Sequence, residues 1–248
     1  MAIPKEEYAE AFMTAGKHLQ ACMDRATASG FRWIKAQPSR PSFADLVFAV
    51  DQKVYAVILV GMTSQKQEAA GAKASFEIPG ESYKLLMAES ERYRLEPVAF
   101  PLWLGIMQPL TSGWNLFSLK DMQAVDPDAR HSSESPVPMS EWELSNFRVM
   151  QVMKDLDESK LTLHSYQDIP DIFPNIWFDD ADGRRSWVAV IPAEAELPAQ
   201  VKEARRKLPQ EYRGYLARVS VCSAEHPGAA PVRGELLRVR YNGLERIP

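Results

Sequence analysis

Histidine and cysteine are scarce in this chain, four and two among 248 residues. His18, His131, His164 and His226 lie far apart, and none has a partner at the i, i+4 spacing that puts two ligands on one helical face, which argues against a transition-metal site. Cys22 and Cys222 sit towards opposite ends with no CxxC partner. Neither a disulfide framework nor a zinc knuckle is expected, and both read as buried, inert thiols. Long apolar runs are absent too. The longest, 44–50 with 54–62 and 98–107, fall well short of the roughly 20 residues that cross a bilayer. The opening Met-Ala-Ile-Pro passes directly into Lys5, Glu6 and Glu7 without an apolar leader, so the expected location is cytoplasmic, with no membrane partner. There is no GxGxxG after a strand, no Walker loop, no GxSxG and no HExxH, hence no expected cofactor.

What the chain has is core. Apolar residues make up 46% and aromatics 10%, enough for one large or two modest cores, and the length suits two domains. The net charge of −4 is unevenly spread. Residues 201–248 hold ten Lys and Arg against five Glu, so this stretch is +5 and the first 200 residues carry −9. Arg205, Arg206, Lys207, Arg238 and Arg240 are therefore candidate nucleic-acid contacts, against the plainer reading of a basic tail that complements an acidic body.

Written against itself, the chain falls into two halves. Each starts with a helix carrying one apolar face: about 6–27, with Tyr8, Ala11, Phe12, Ala15, Leu19 and Met23 in helical spacing, and about 144–156, with Leu144, Phe147, Met150 and Met153. A strand follows each helix (31–37; 161–167), then a hairpin in which Phe43-Ala44-Asp45-Leu46-Val47-Phe48 matches Phe173-Pro174-Asn175-Ile176-Trp177-Phe178. The hairpin turns are Asp51-Gln52 and Asp182-Gly183, the return strands 54–60 and 186–191, with Tyr55 set opposite Trp187. A second helix (80–94; 198–207) and two more strands complete each half: 98–106 with 114–120, and 215–222 with 235–241. The fold class is α+β, two tandem pseudo-symmetric αβββαββ domains, each a mixed sheet with flanking helices. The halves span 1–126 and 141–248, joined by a Ser-, Pro- and Asp-rich linker over 127–140.

Helix, three strands, helix, strand, with Asp45 entering the second strand in Ala44-Asp45-Leu46-Val47-Phe48, resembles the PD-(D/E)XK nuclease superfamily. In that family two carboxylates hold a divalent metal and a lysine positions or activates the water. The resemblance implies an acid and a lysine two residues apart on the next strand, so that both side chains share a face. Ile58 and Val60 stand there in the first half. In the second, Asn175 replaces the first acid, and Val190 and Pro192 take the other two places. Ile58 and Val60 can neither hold a cation nor move a proton, and both sites read as inactive. The alternative role for Asp45 is as a turn or cap residue whose carboxylate satisfies backbone N–H groups. The acidic turn 179–183 lacks the downstream bidentate Glu of a calcium loop and reads as a solvated hairpin tip. Cys222 lies near Glu225 and His226, a proximity in sequence that rarely gives catalytic geometry.

Six tryptophans are shared between the halves, and core packing is the default for those in strands. Trp142, at the end of the linker between Glu141 and Glu143, reads instead as a protein contact or a staple between the halves. The insertion 63–80, with Gln65, Lys66 and Gln67, is a second candidate protein-binding element. The expectation is a non-catalytic protein-binding or assembly protein on a degenerate nuclease-like scaffold, of the type found in bacterial accessory systems, whose partner is another protein. The alternative is a nucleic-acid-binding module using the basic C-terminal end.

Overall fold

The computed structural model describes residues 1–26, 30–38, 42–62, 78, 80–129, 136–226 and 228–247. Among the described residues, four helices and two mixed sheets divide between two compact units, one built on Met1–Pro38 and Phe43–Ser135, the other on Ser39–Ser42 and Pro136–Pro248. Among the described residues no helix is long and apolar enough to cross a membrane.

In the first unit α1 (Tyr8–Arg25) buries Ala11, Phe12, Ala15, Leu19 and Cys22, the stripe that its 3.6-residue period places on one side. The strands are β1 (Arg32–Lys35), β2 (Leu46–Val50), β3 (Lys53–Met62), β4 (Glu96–Trp103), β5 (Gln108–Pro109), β6 (Leu116–Ser118) and β7 (Ala124–Val125), ordered β1-β2-β3-β4-β6-β7 with β5 also on β4. β3 and β4 are parallel, and α2 (Gly80–Tyr93) lies between them in the chain, as a crossover connection requires. The α1 stripe packs on Leu46, Phe48 and Val50 of β2, Tyr55, Val57 and Leu59 of β3, and Val98, Phe100 and Leu102 of β4. β2 is buried throughout its length, which is why it reads as a continuous apolar run rather than an alternating one.

The second unit opens with α3 (Glu141–Glu158), followed by β8 (Thr162–Tyr166), β9 (Ile176–Asp179), β10 (Arg185–Pro192), α4 (Ala199–Lys207), β11 (Arg213–Ser223) and β12 (Leu237–Arg246). The sheet order is β12-β11-β10-β9-β8, with β10 and β11 parallel. Alternation along β10 divides its side chains between two cores. Val188 and Val190 meet Val149, Val152 and Leu156 of α3, while Trp187, Ala189 and Ile191 meet Val201 of α4.

Trp187 is fully buried and lies beside Gly214 in the parallel register. A Cβ at Gly214 would come within 2.6 Å of the indole Cζ2. Gly214→Ala is therefore expected to destabilise the second unit by about 1–3 kcal/mol, read as a lower urea midpoint. Adding Trp187→Phe should recover part of the loss. Equal midpoints for Gly214→Ala and the parent would remove the argument.

The first unit departs from the expected αβββαββ order, since among the described residues four strands rather than two follow α2, and β12 runs on to Arg246 rather than ending near 241. Other boundaries differ as well. α3 starts at Glu141 rather than near 144, because Ser140 and Glu143 form a capping box. The second half of the expected linker is structured: Pro138 bridges Val232, Met139 N donates to Pro231 O, and Arg233 N donates to Val137 O. The turn after β9 is wider than the Asp182-Gly183 pair, since Asp179 is the partner of Arg185 and Asp180 accepts the N–H groups of Asp182 and Arg184 inside it.

Candidate functional site

The place where the nuclease resemblance puts its first acid is occupied by a backbone anchor. Asp45 N donates to Val57 O at 2.8 Å, and its Oδ2 accepts from Leu59 N at 2.7 Å, so the carboxylate stands in for a ladder carbonyl between β2 and β3. Its Oδ1 accepts from Tyr8 Oη at 2.5 Å, tying α1 to the same point. The Asp45 carboxylate does satisfy a backbone N–H, as expected, but across the sheet at Leu59 rather than in a local turn or cap. In the second unit Asn175 N donates to Val188 O at 2.9 Å and its Oδ1 accepts from Val190 N at 2.8 Å.

These ladders shift the sequence alignment by one residue. With Asp45 set against Asn175, Val57 answers to Val188, so Tyr55 answers to Ser186 rather than Trp187. The two places read as Val190 and Pro192 move to Ala189 and Ile191. A slip of one residue moves a strand's side chains to the other face. The packing agrees, because Val57 and Leu59 face α1 as Val188 and Val190 face α3. On either face Ile58, Val60, Ala189 and Ile191 are buried apolar residues. Among the described residues no group of three or more His, Cys, Asp or Glu side chains could hold a metal ion.

The basic residues do not form one patch. Arg205, Arg206 and Lys207 occupy the last turn of α4, with Lys207 Nζ 2.7 Å from Glu203 Oε1. From there the chain enters β11 at Arg213, whereas Arg240 and Arg238 pair with Ser220 and Cys222 near its other end, roughly 25 Å along at about 3.3 Å per residue. Arg238 and Arg240 are exposed and share a face with Leu236, which is 72% exposed. On β11 Arg218, Ser220 and Cys222 lie on the same face, opposite to the one that Ala217 and Val219 turn towards α3. Val239 and Tyr241, alternating with the arginines, pack towards α3. This open face of β11 and β12 is the site the sequence only half anticipated.

Two clusters hold that face in place. Glu143 and Arg233 are 0% and 3% exposed, and the guanidinium donates to the carboxylate from Nε at 3.2 and 3.1 Å and from Nη2 at 2.8 Å. Glu143 Oε2 also accepts from Ser140 N and Oγ, so one carboxylate caps α3 and fixes the segment that leads into β12. At the other end of the sheet Arg213 Nη1 donates to Asp180 at 2.8 Å and to Asp182 at 2.7 Å, while Asp179 meets His164 at 2.8 Å and Arg185 at 2.9 Å.

The His164 ring beside Asp179 holds its carboxyl below the ordinary value of 3.8, with Arg185 adding to this. Burial pushes Asp180 upward, but the N–H groups of Arg184 and Asp182 and the Arg213 guanidinium outweigh it, leaving that carboxyl lowered as well. A folded pKa below the unfolded one gives stability that is complete above the ordinary carboxylate value and is lost as pH falls through the lowered value. The urea midpoint should fall with acidification more steeply for the parent than for the Asp179→Asn, Asp180→Asn double variant. Identical slopes would show that the turn does not couple to folding.

Other predicted residues fall elsewhere. Trp142 is fully buried and offers no surface to a separate partner, which corrects its reading as a contact for another protein. Gln65, Lys66 and Gln67 lie outside the described residues. Cys22 is buried, and that burial pushes its thiol up. Cys222 is half-exposed rather than buried, and its Sγ lies 3.7 Å from Arg238 O, while Ser223 Oγ accepts the N–H of His226. The sequence carried a signal for the clasp, Ser140-x-x-Glu143, but none for Arg233, ninety residues away.

Residues 142–247 match the model of a domain of unknown function, DUF8840. The match begins in the first turn of α3 and runs past β12, so it covers the clasp and the open arginine face together. No curated protein and no solved structure matches the chain.

Proposed function

We propose that this is a non-catalytic protein-binding or assembly protein of the cytoplasm, built from two pseudo-symmetric nuclease-like α+β modules, the first carrying two short strands, β5 and β7, beyond the αβββαββ order of the second. The observation that carries the reading is the use made of Asp45 and Asn175. Each spends its side-chain oxygen on a backbone N–H of the neighbouring strand, Leu59 or Val190, where the nuclease family aims a carboxylate at metal. The strands that would supply the acid and lysine are given over to core. The relation between the modules is supported by their 18-residue first helices, the irregular pairing of β1 with β2 and of β8 with β9, and the parallel pairs β3–β4 and β10–β11. A scaffold whose catalytic strand has become core acts through its surface. The second module offers one: the arginine face on β11 and β12.

The test is capture from native lysate with the tagged full chain, with and without nuclease, co-purifying material being identified by mass spectrometry and nucleic-acid staining. A stoichiometric protein that survives nuclease is expected, and nucleic acid without such a protein would overturn the reading. A nucleic-acid-binding module is the second reading, favoured by Arg218, Arg238 and Arg240 on one face. It predicts an affinity that falls steeply with salt, by counterion release.

A further inference from the structure

Resting on the protein-binding reading, we infer that the outer edge of β12 receives an extended partner segment in which acidic and apolar residues alternate, added to the sheet as a sixth strand. β12 is terminal in the five-stranded sheet and runs from Leu237 to Arg246. Ala224 N donates to Leu236 O, which makes Ser223 and Leu237 a non-hydrogen-bonded pair. By antiparallel alternation, Arg238 and Arg240 spend their backbone groups on Cys222 and Ser220, while Leu237, Val239 and Tyr241 point theirs away from β11. Among the described residues nothing bonds those outward groups. The irregularity in the β11–β12 pairing falls between Ala217 and Val219, beyond Tyr241, so the stretch from Leu237 to Tyr241 stays in regular register. It is a ready template for strand addition.

The flanking side chains specify the occupant. On one face Leu236, Arg238 and Arg240 are exposed, and among the described residues neither arginine has a carboxylate within ion-pair reach. On the other face Val239 and Tyr241 present half-buried apolar surface. Cross-strand neighbours on one face interact directly, so a docked strand places every second side chain against the arginines and the rest against Val239 and Tyr241. Acids suit the first set and apolar residues the second. A second copy of this chain docked by its own β12 would bring arginine towards arginine, which the same rule disfavours.

The probe is a short end-blocked peptide alternating Glu and Val and carrying fluorescein, titrated with the full chain. Binding is expected, with at least a tenfold loss in Arg238→Glu, Arg240→Glu and a similar loss in Val239→Pro. The N–H of Val239 points outward, so proline there spares the β11 ladder and blocks only the edge. Should Val239→Pro fail to fold, N-methylating alternate amides of the peptide removes the same bonds, and slowed amide exchange at Val239 and Tyr241 on binding reports strand addition directly. A peptide of the same composition with Glu and Val in blocks that binds as well would overturn the inference. So would equal binding by Val239→Pro and the parent, or a single-stranded oligonucleotide that displaces the peptide and binds Val239→Pro undiminished. A lysate partner that both variants still capture overturns the β12 edge but leaves the protein-binding reading standing, whereas peptide binding with no lysate protein captured does the reverse.

Discussion

Replacing Glu143 with alanine is expected to cost the second unit about 3–5 kcal/mol, the loss associated with stranding one charge of a buried pair. Arg233 is 3% exposed and donates both Nε and Nη2 to that carboxylate, so truncation removes these bonds while the guanidinium charge stays in the interior. The cap on α3 goes as well, since Glu143 Oε2 accepts Ser140 N. Urea unfolding followed by tryptophan fluorescence should show the second unit melting first. The paired replacement Glu143→Leu, Arg233→Met should recover more than half the loss, because exchanging both partners for apolar side chains leaves no buried charge. A single-variant loss below about 1 kcal/mol would mean that water reaches the pair.

Asp45 and Asn175 give the second large effect, and its asymmetry is informative. Asp45→Ala removes the acceptor of Leu59 N and the carboxylate that Tyr8 Oη donates to, a loss of about 2–3 kcal/mol. Asp45→Asn should cost less than about 1 kcal/mol, since a carboxamide oxygen already does this work at position 175. Asn175→Asp is different. Asn175 is 2% exposed, and its Nδ2 donates to Ile172 O, so an acid there would bury a charge facing a carbonyl. Chemical denaturation of the three variants checks the order Asn175→Asp and Asp45→Ala well below Asp45→Asn. If Asp45→Asn were as damaging as Asp45→Ala, the charge itself would matter and the anchor account would fail.

Much of this architecture can be read from local pattern. The stripe of α1, the apolar run of β2 and the crossover helices follow from period and composition, because each depends on neighbours within a few residues. The stripe of α3 does not: the face expected from Leu144, Phe147, Met150 and Met153 is only half-buried, and the helix buries Trp142, Asn146, Val149, Val152 and Leu156 instead. β5 and β7 escape such reading, as two residues carry no period. The register of β10 escaped by one residue because the turn before it is held open by Asp180, a contact from side chain to backbone that composition does not encode. For the candidate site, Arg238 and Arg240 were recognisable as basic residues. Their separation from Arg205, Arg206 and Lys207 was not, since it depends on the length of β11 and on which of its ends each group meets. Trp142 misled because its flanking glutamates suggest exposure, whereas Glu143 is itself buried against Arg233 and the indole is buried as well.

The Glu143–Arg233 clasp also sets an order of events during synthesis. The carboxylate leaves the ribosome ninety residues ahead of the guanidinium, and β12, which closes the sheet over α3, follows later still. Until that point a nascent second unit can collapse around Val149, Val152 and Leu156 but cannot bury Glu143 favourably. Contacts so distant in sequence make for slow closure. The second unit should therefore mature only when nearly all of it has emerged, which keeps the β12 edge from forming on a half-made sheet.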